Sequence, residues 1–134
     1  SLLIVVDASV LANALADDGG DGAVARSRLL AGGDLAAPDL VDVETAAVFR
    51  KRSIADALPT ERFSAAIDDL QLLELVRYPT RPLMRRVFEL HDNVTAYDAV
   101  YVALAERLGC TLVTADQRLA AAPGVRCQIE VLRR

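Results

Sequence analysis

Short apolar runs alternate with helical segments along the whole chain, and this alternation constrains the fold more than any other feature of the sequence. Leu3–Val6, Leu35–Ala37, Leu73–Arg77, Thr111–Val113 and Gln128–Leu132 are too short to be helices that bury a face, and they suit strands. Between them lie segments with helix start and stop signals. Ser9 to about Ala16 reads as a helix ended by Asp17-Asp18-Gly19-Gly20, and Gly22–Leu30 as a second, closed by Gly32-Gly33. Pro38-Asp39 opens a helix that reaches about Arg52. Thr60 is the expected N-cap of one running to about Leu70, and Pro82 starts one ending near Leu90. Thr95 caps the long apolar stretch Ala96–Leu108, which Gly109 closes, and Asp116–Ala121 is a last short helix. Strands separated by helices cannot pair as hairpins. They pair in parallel, with helices covering both faces of the sheet. In such sheets ligands bind beyond the carboxyl ends of the strands, so chemistry is to be sought there.

The chain has 134 residues, the size of one domain, and 53% of them are hydrophobic, enough for a core. Its first apolar run, Leu2 to Val6, is stopped by Asp7. It is neither an export signal nor a membrane span, and a cytoplasmic location is the default expectation. Cys110 and Cys127 show neither zinc-ligand spacing nor a CxxC motif, and read as two buried free thiols. The basic residues are fourteen arginines and Lys51. A net charge of −4 argues against a protein that coats nucleic acid by basic charge, but not against a nuclease whose acids are gathered at a site.

Four acids stand where a bland protein would not put them. Asp7 ends the first strand and Asp116 follows the strand Thr111–Val113; each also precedes a helix, so capping is the competing explanation for both. Glu44 has Leu40, Val41, Ala47 and Val48 as its neighbours at three and four residues, an apolar surround that is costly for a carboxylate unless it is paired, metal-bound or at the stripe's edge. Asp98 sits among Val94, Thr95, Tyr101 and Val102, and Thr95-Ala-Tyr-Asp98 doubles as a capping box. With one histidine in the chain, four oxygen ligands would select a hard cation, Mg²⁺ or Mn²⁺. Such ions promote phosphodiester hydrolysis by activating water and neutralising charge on phosphoryl oxygens.

The wording of the four blocks is similar to that of a known family. Ile-Val-Val-Asp7-Ala-Ser9-Val, Asp39-Leu-Val-Asp-Val-Glu44, Thr95-Ala-Tyr-Asp98-Ala-Val-Tyr-Val-Ala-Leu-Ala-Glu and Leu-Val-Thr114-Ala-Asp116-Gln-Arg-Leu together resemble the PIN-domain family, and within it the VapC toxins. The resemblance covers essentially the whole chain. It implies a three-layer α/β/α domain over residues 1–134 with a five-stranded parallel sheet. It implies Asp7, Glu44, Asp98 and Asp116 around Mg²⁺ or Mn²⁺, supported by the polar side chains of Ser9, Thr114, Asn13 and Thr95. The activity it implies is RNA phosphodiester hydrolysis that leaves a 5′-phosphate and a 3′-hydroxyl, with structured RNA such as tRNA a frequent target. The partners it implies are a cognate antitoxin whose C-terminal segment wraps the toxin and blocks the acidic pocket. A homodimer is expected as well.

Other features read as structural. His91 stands near a helix end, where a cap or a C-terminal cation is ordinary. Arg50-Lys51-Arg52 and Arg85-Arg86 are solvated faces or helix-end charges, with contact to RNA phosphate as the alternative. Tyr97 and Tyr101 are expected near the site or at a subunit contact. No GxGxxG or GxxxxGK[ST] loop is present. A haloacid-dehalogenase-like phosphatase would want a second aspartate two residues after Asp7, where Ser9 stands. A receiver-type phospho-acceptor would want an aspartate after the middle strand and a lysine near the last ones, but Tyr78-Pro79 and the helical Lys51 do not supply them. A catalytically silent binding module remains the alternative of a different class.

Overall fold

The computed structural model describes residues 2–134. Its centre is a five-stranded sheet of β1 (Ile4–Val6), β2 (Leu35–Pro38), β3 (Val76–Tyr78), β4 (Thr111–Thr114) and β5 (Ile129–Val131). The order is β3-β2-β1-β4-β5 and every pairing is parallel. β1 is central, with Val5 opposite Leu112 and Val6 opposite Val113, and Val5, Val6, Leu112 and Val113 are fully buried. That burial on both faces explains why β1 reads as an unbroken apolar run rather than an alternating one.

Among the described residues, seven α-helices flank the sheet: α1 (Ala8–Ala16), α2 (Gly20–Leu30), α3 (Val41–Ile54), α4 (Thr60–Leu72), α5 (Met84–Glu89), α6 (Ala96–Leu108) and α7 (Gln117–Ala120). Helices α1 to α4 pack on one another, with Phe49 meeting Phe63 edge-on above Ala12, Ala16 and Ala66. Helix α6 packs with α5 and lies against β1, β2 and β4. It is buried from Ala99 to Ala105, as its near-continuous apolar sequence requires. Thr95 caps it and Gly109 ends it in the left-handed conformation, as expected. Gly33 is a positional requirement: its φ is +93°, and a Cβ there would sit 2.2 Å from the Leu2 carbonyl oxygen.

Several boundaries differ from the sequence expectations. Pro38 does not open a helix. It is the last residue of β2, opposite Tyr78, and α3 starts three residues later. A proline's fixed φ suits the end of a strand as well as the first turn of a helix, and here the ladder takes it. Thr60 is the first helical residue of α4 rather than its cap. Pro59 takes the cap position with extended backbone, and its carbonyl accepts from the Phe63 amide. The third strand starts at Val76 rather than Leu73, because α4 runs on to Leu72. Pro82 lies in a single 3₁₀ turn, Arg81–Leu83, before α5 proper. Cys110 and Cys127 are free, and half-buried rather than buried.

Candidate active site

The strand order places a crevice where the chain changes direction. From β1 it builds outward through β2 and β3, then returns to add β4 and β5 on the other side, so the ends of β1 and β4 form the topological switch point. Asp7 is the residue after β1, and Asp116 stands two residues after β4. Glu44 comes from the first turn of α3 and Asp98 from the first turn of α6. All four line one pocket of about 200 Å³, with Ser9, Val48, Arg52 and Tyr101.

Asp7 is the best held of the four, 6% exposed and bonded through both carboxylate oxygens. Its Oδ1 accepts from the Ser9 hydroxyl (2.6 Å) and from the Val10 amide (3.1 Å), and its Oδ2 from the Thr114 hydroxyl (2.5 Å). Ser9 and Thr114 in turn accept from the amides of Ala115 and Asp116, so the ends of β1 and β4 are tied together through their side chains. Capping and site geometry coincide here: the Val10 contact caps α1 while the carboxylate faces the pocket. Burial pushes the Asp7 pKa above the usual carboxylate value. Its three hydrogen bonds pull it back only in part, and the charge of Asp98 raises it further.

Glu44 is half-buried at the edge of its stripe, since Val41 is buried but Ala47 is exposed. Its Oε1 accepts from the Tyr101 hydroxyl at 2.5 Å. Burial raises its pKa; the tyrosine bond opposes that, and the charges of Asp7 and Asp98 add to it. Tyr101 is 1% exposed, and its own pKa is pushed up by burial and by Glu44, so the phenol stays a donor. The pKa of Asp98 is raised by burial and by the charge of Asp116, with the Thr95 hydroxyl beside it pulling the other way. Thr95 also accepts from the Asp98 amide at 3.3 Å, so it both caps α6 and supports this acid.

Asp116 differs from the other three. Its carboxylate takes both arms of Arg118, at 3.1 and 3.0 Å, and caps α7 through the Arg118 amide. The Arg118 contacts hold its pKa below the usual value. Among the described residues, no three His, Cys, Asp or Glu side chains stand close enough together to hold a metal ion as they are. Each acid is instead turned onto a neighbour of its own: Asp7 onto Ser9 and Thr114, Glu44 onto Tyr101, Asp98 onto Thr95 and Asp116 onto Arg118.

The structure therefore brings Asp7, Glu44, Asp98, Asp116, Ser9 and Thr114 to one place, with Thr95 beside Asp98. Asn13 is the exception. Its Oδ1 accepts from Arg52 Nη2 at 2.6 Å, so it supports the arginine at the pocket wall rather than an acid. Tyr101, expected near the site or at a subunit contact, lines the pocket, and so does Arg52, read in the sequence as part of a solvated basic cluster with contact to RNA phosphate as the alternative; helical spacing could have placed both. Glu44, Val48 and Arg52 recur every four residues along α3, and Tyr101 follows Asp98 by three along α6. His91 lies outside the pocket, exposed and stacked on Phe88.

The profile of the PIN domain matches residues 4–125. The chain belongs to the PIN-domain family. It is 43% identical over 130 residues to Ribonuclease VapC1 of Mycobacterium tuberculosis, an alignment that spans 96% of this chain and 97% of the relative. Among solved structures, the PIN fold seen here is shared with Mycobacterium tuberculosis VapC20, described as a sarcin-ricin loop cleaving toxin. The TM-score is 0.72 at 16% identity, over 92% of this chain and 96% of that one. VapBC2 of Rickettsia felis, solved on a DNA fragment from its promoter, matches with a TM-score of 0.68 at 15% identity, over 98% and 99% of the two chains. The three-layer α/β/α architecture with a five-stranded parallel sheet is thus the family's own.

Proposed function

We propose that this PIN-domain chain is a divalent-metal-dependent endoribonuclease of the VapC type, the toxin of a toxin–antitoxin pair. The observation that carries the reading is the convergence of Asp7, Glu44, Asp98 and Asp116 on one pocket at the switch point of the sheet. The 43% identity over nearly the full length of a VapC ribonuclease supports it.

The donor set fits a hard cation. Every acidic group in the pocket offers oxygen, and among the described residues no histidine or cysteine lines it. Three of the acids have raised pKa values, in part because they sit near one another's charge, and a cation would relieve that repulsion. Asp7, Glu44, Asp98 and Asp116 are the residues that would hold it, once Asp116 is released by Arg118. A bound Mg²⁺ or Mn²⁺ supplies positive charge for the phosphoryl oxygens and makes water a better nucleophile. The chain's own residues do the rest. Ser9 and Thr114 keep both oxygens of Asp7 oriented, Tyr101 does the same for Glu44, and a carboxylate oxygen left free of the cation would accept the proton that water gives up as it adds to phosphorus. The bond from phosphorus to the 3′-oxygen breaks, and that oxygen takes a proton from solvent, leaving a 5′-phosphate and a 3′-hydroxyl.

An antitoxin segment would lie across α1, α2 and α4. An apolar groove of about 510 Å³ runs there, lined by Leu15, Leu29, Leu30 and Leu73 and edged by Arg26, Arg62, Asp18 and Asp69. Leu30 is 84% exposed in this chain alone, as a residue awaiting a partner would be. No described helix is long and apolar enough to cross a membrane. We place the chain in the cytoplasm, where RNA is at hand and two free thiols stay reduced.

The test is incubation of the purified protein with total RNA and Mg²⁺ or Mn²⁺, with new 5′ ends mapped. Cleavage that EDTA abolishes and that Asp98→Asn lowers by at least about a hundredfold is expected, the scale of losing a key electrostatic group. Undiminished cleavage by Asp98→Asn, or full activity in EDTA, refutes the reading.

A further inference from the structure

We propose that Arg52, fixed by Asn13, is a phosphate-binding residue for the RNA strand, and that the cavity beyond it seats the phosphodiester next to the one cleaved. The inference rests on the ribonuclease reading for the identity of the ligand. Its own evidence is the placement of one cation.

Arg52 reaches from α3 across to α1, where Nη1 donates to the Ala12 carbonyl at 3.3 Å and Nη2 to Asn13 Oδ1 at 2.6 Å. Both acceptors are neutral. By contrast, Arg28, Arg77 and Arg86 each close on a carboxylate with two nitrogens. Two of the five N–H donors of the Arg52 guanidinium are used in holding it, and three remain. A half-buried guanidinium with neutral supports and spare donors is organised to receive an anion, and its planar fork matches phosphate.

Its position gives the anion a path. Arg52 lines the acidic pocket, and it also lines a second cavity of about 260 Å³ with Asn13, Asp21, Ala115 and Arg134. It is therefore the shared wall of the two. The acidic pocket, at about 200 Å³, is smaller than the roughly 300–1,000 Å³ that encloses a whole small ligand. It takes one linkage of a polymer, and the neighbouring linkages must lie on adjoining surface. Four carboxylates repel a polyanion, and Arg52 is the one cation lining that pocket among the described residues. A strand leaving the pocket past Arg52 would enter the second cavity, which Arg134, now paired with Asp21 at 3.1 Å, also lines.

The experiment measures binding of a fluorescent single-stranded RNA by anisotropy, across a salt series with Mg²⁺, on Asp98→Asn protein so that the RNA survives. Adding Arg52→Gln should raise Kd at least about tenfold, the loss of one charge-assisted contact. It should also flatten the slope of log Kd against log salt by about 0.7, one phosphate contact fewer on a single strand. Arg52→Lys should keep the slope but lose affinity, because the charge stays and the fork goes. Asn13→Ala should weaken binding with the slope kept, since it frees the guanidinium without removing it. Thermal melts confirm folding, and if Arg52→Gln does not fold, the Lys and Ala variants carry the test. Unchanged Kd and slope in the folded Arg52 variants overturn the proposal, as does a failure of the Asp98→Asn protein to bind RNA at all. Cleavage of total RNA by the chain with Asp98 intact is scored separately. Its absence alongside these binding losses sinks the ribonuclease reading and leaves the phosphate site. Cleavage with unaltered KM in Arg52→Gln sinks the phosphate site alone.

Discussion

Tyr101→Phe isolates a single bond of the site. The ring is fully buried in α6 beneath the pocket, and phenylalanine fills the same space, so the substitution removes one hydroxyl and little packing. That hydroxyl donates to Glu44 Oε1. A hydrogen bond to a charged group contributes about 1.5–3 kcal/mol. Glu44 borders an open pocket, so water replaces part of the loss and the lower end of that range applies. With an unfolding entropy of about 2.1 cal/mol/K per residue over 134 residues, a loss of about 1.5 kcal/mol lowers the melting temperature by about 5 °C.

The pH dependence tells this bond from mere packing. Glu44 has a raised pKa in the parent, and removing the one donor that lowers it raises it further. The bond is made to the carboxylate. The deficit of Tyr101→Phe is therefore full above the variant's Glu44 pKa and shrinks as pH falls through it. Tyr101 itself stays protonated throughout, because burial and Glu44 push its pKa up. The assay is thermal melting in EDTA at neutral and mildly acidic pH. Equal melting of parent and variant at pH 7, or a deficit of the same size at every pH, refutes the reasoning.

Three further outcomes follow from the same geometry. Asp7 has a raised folded pKa, so the stability it contributes is present below its unfolded pKa and lost as pH rises through the folded one. Asp7→Asn should then melt no lower than the parent at pH 8 in EDTA and lose that relative advantage toward pH 4; a variant that melts lower at pH 8 would show that the carboxylate is a structural cap and nothing more. Mn²⁺ at a hundredfold excess over its dissociation constant should stabilise the parent by about 2.7 kcal/mol, or about 10 °C, and Asp98→Asn by much less; a parent melting temperature that ignores Mn²⁺ counts against the metal. The chain should form a homodimer, with exposed Val43, Leu72 and Val76 among the apolar residues that a second copy would cover, and light scattering that shows a strict monomer at micromolar concentration would exclude it.

The sequence was most legible where two physical demands agreed. β1 and the start of α1 could be placed because the run of buried residues ends at an aspartate that also caps, and α6 because Thr95 and Gly109 punctuate a helix buried along most of its length. It was least legible where one residue type serves two conformations. Pro38 ends a strand as readily as it starts a helix, and nothing local to Leu73-Glu-Leu-Val marks where α4 stops and the edge strand begins. The same holds at the site. Glu44 and Asp98 stood out because carboxylates among apolar neighbours are costly, and Asp7 and Asp116 because they follow strands at the edge where sites are built. Asn13 was expected to support the acids and Arg52 to be a solvated charge or a phosphate contact; their bond to each other was not legible, because only the packing of α3 on α1 brings those two together.

That packing bears on why the site tolerates its own charge. Burial and mutual repulsion raise the pKa values of Asp7, Glu44 and Asp98, so with the carboxylates ionised the pocket opposes folding. Asp116 escapes only by closing on Arg118, whose side chain is 90% exposed and whose pairing is accordingly weak. A cation entering the pocket would thus have to turn three carboxylates from the hydroxyls that hold them, and a fourth from a solvent-exposed arginine that is easily displaced. Ser9, Thr114 and Tyr101 fix orientation while Arg118 holds a charge in reserve. The energetic cost of gathering the acids is met by the apolar core around β1 and α6, which is where this chain concentrates its most completely buried residues.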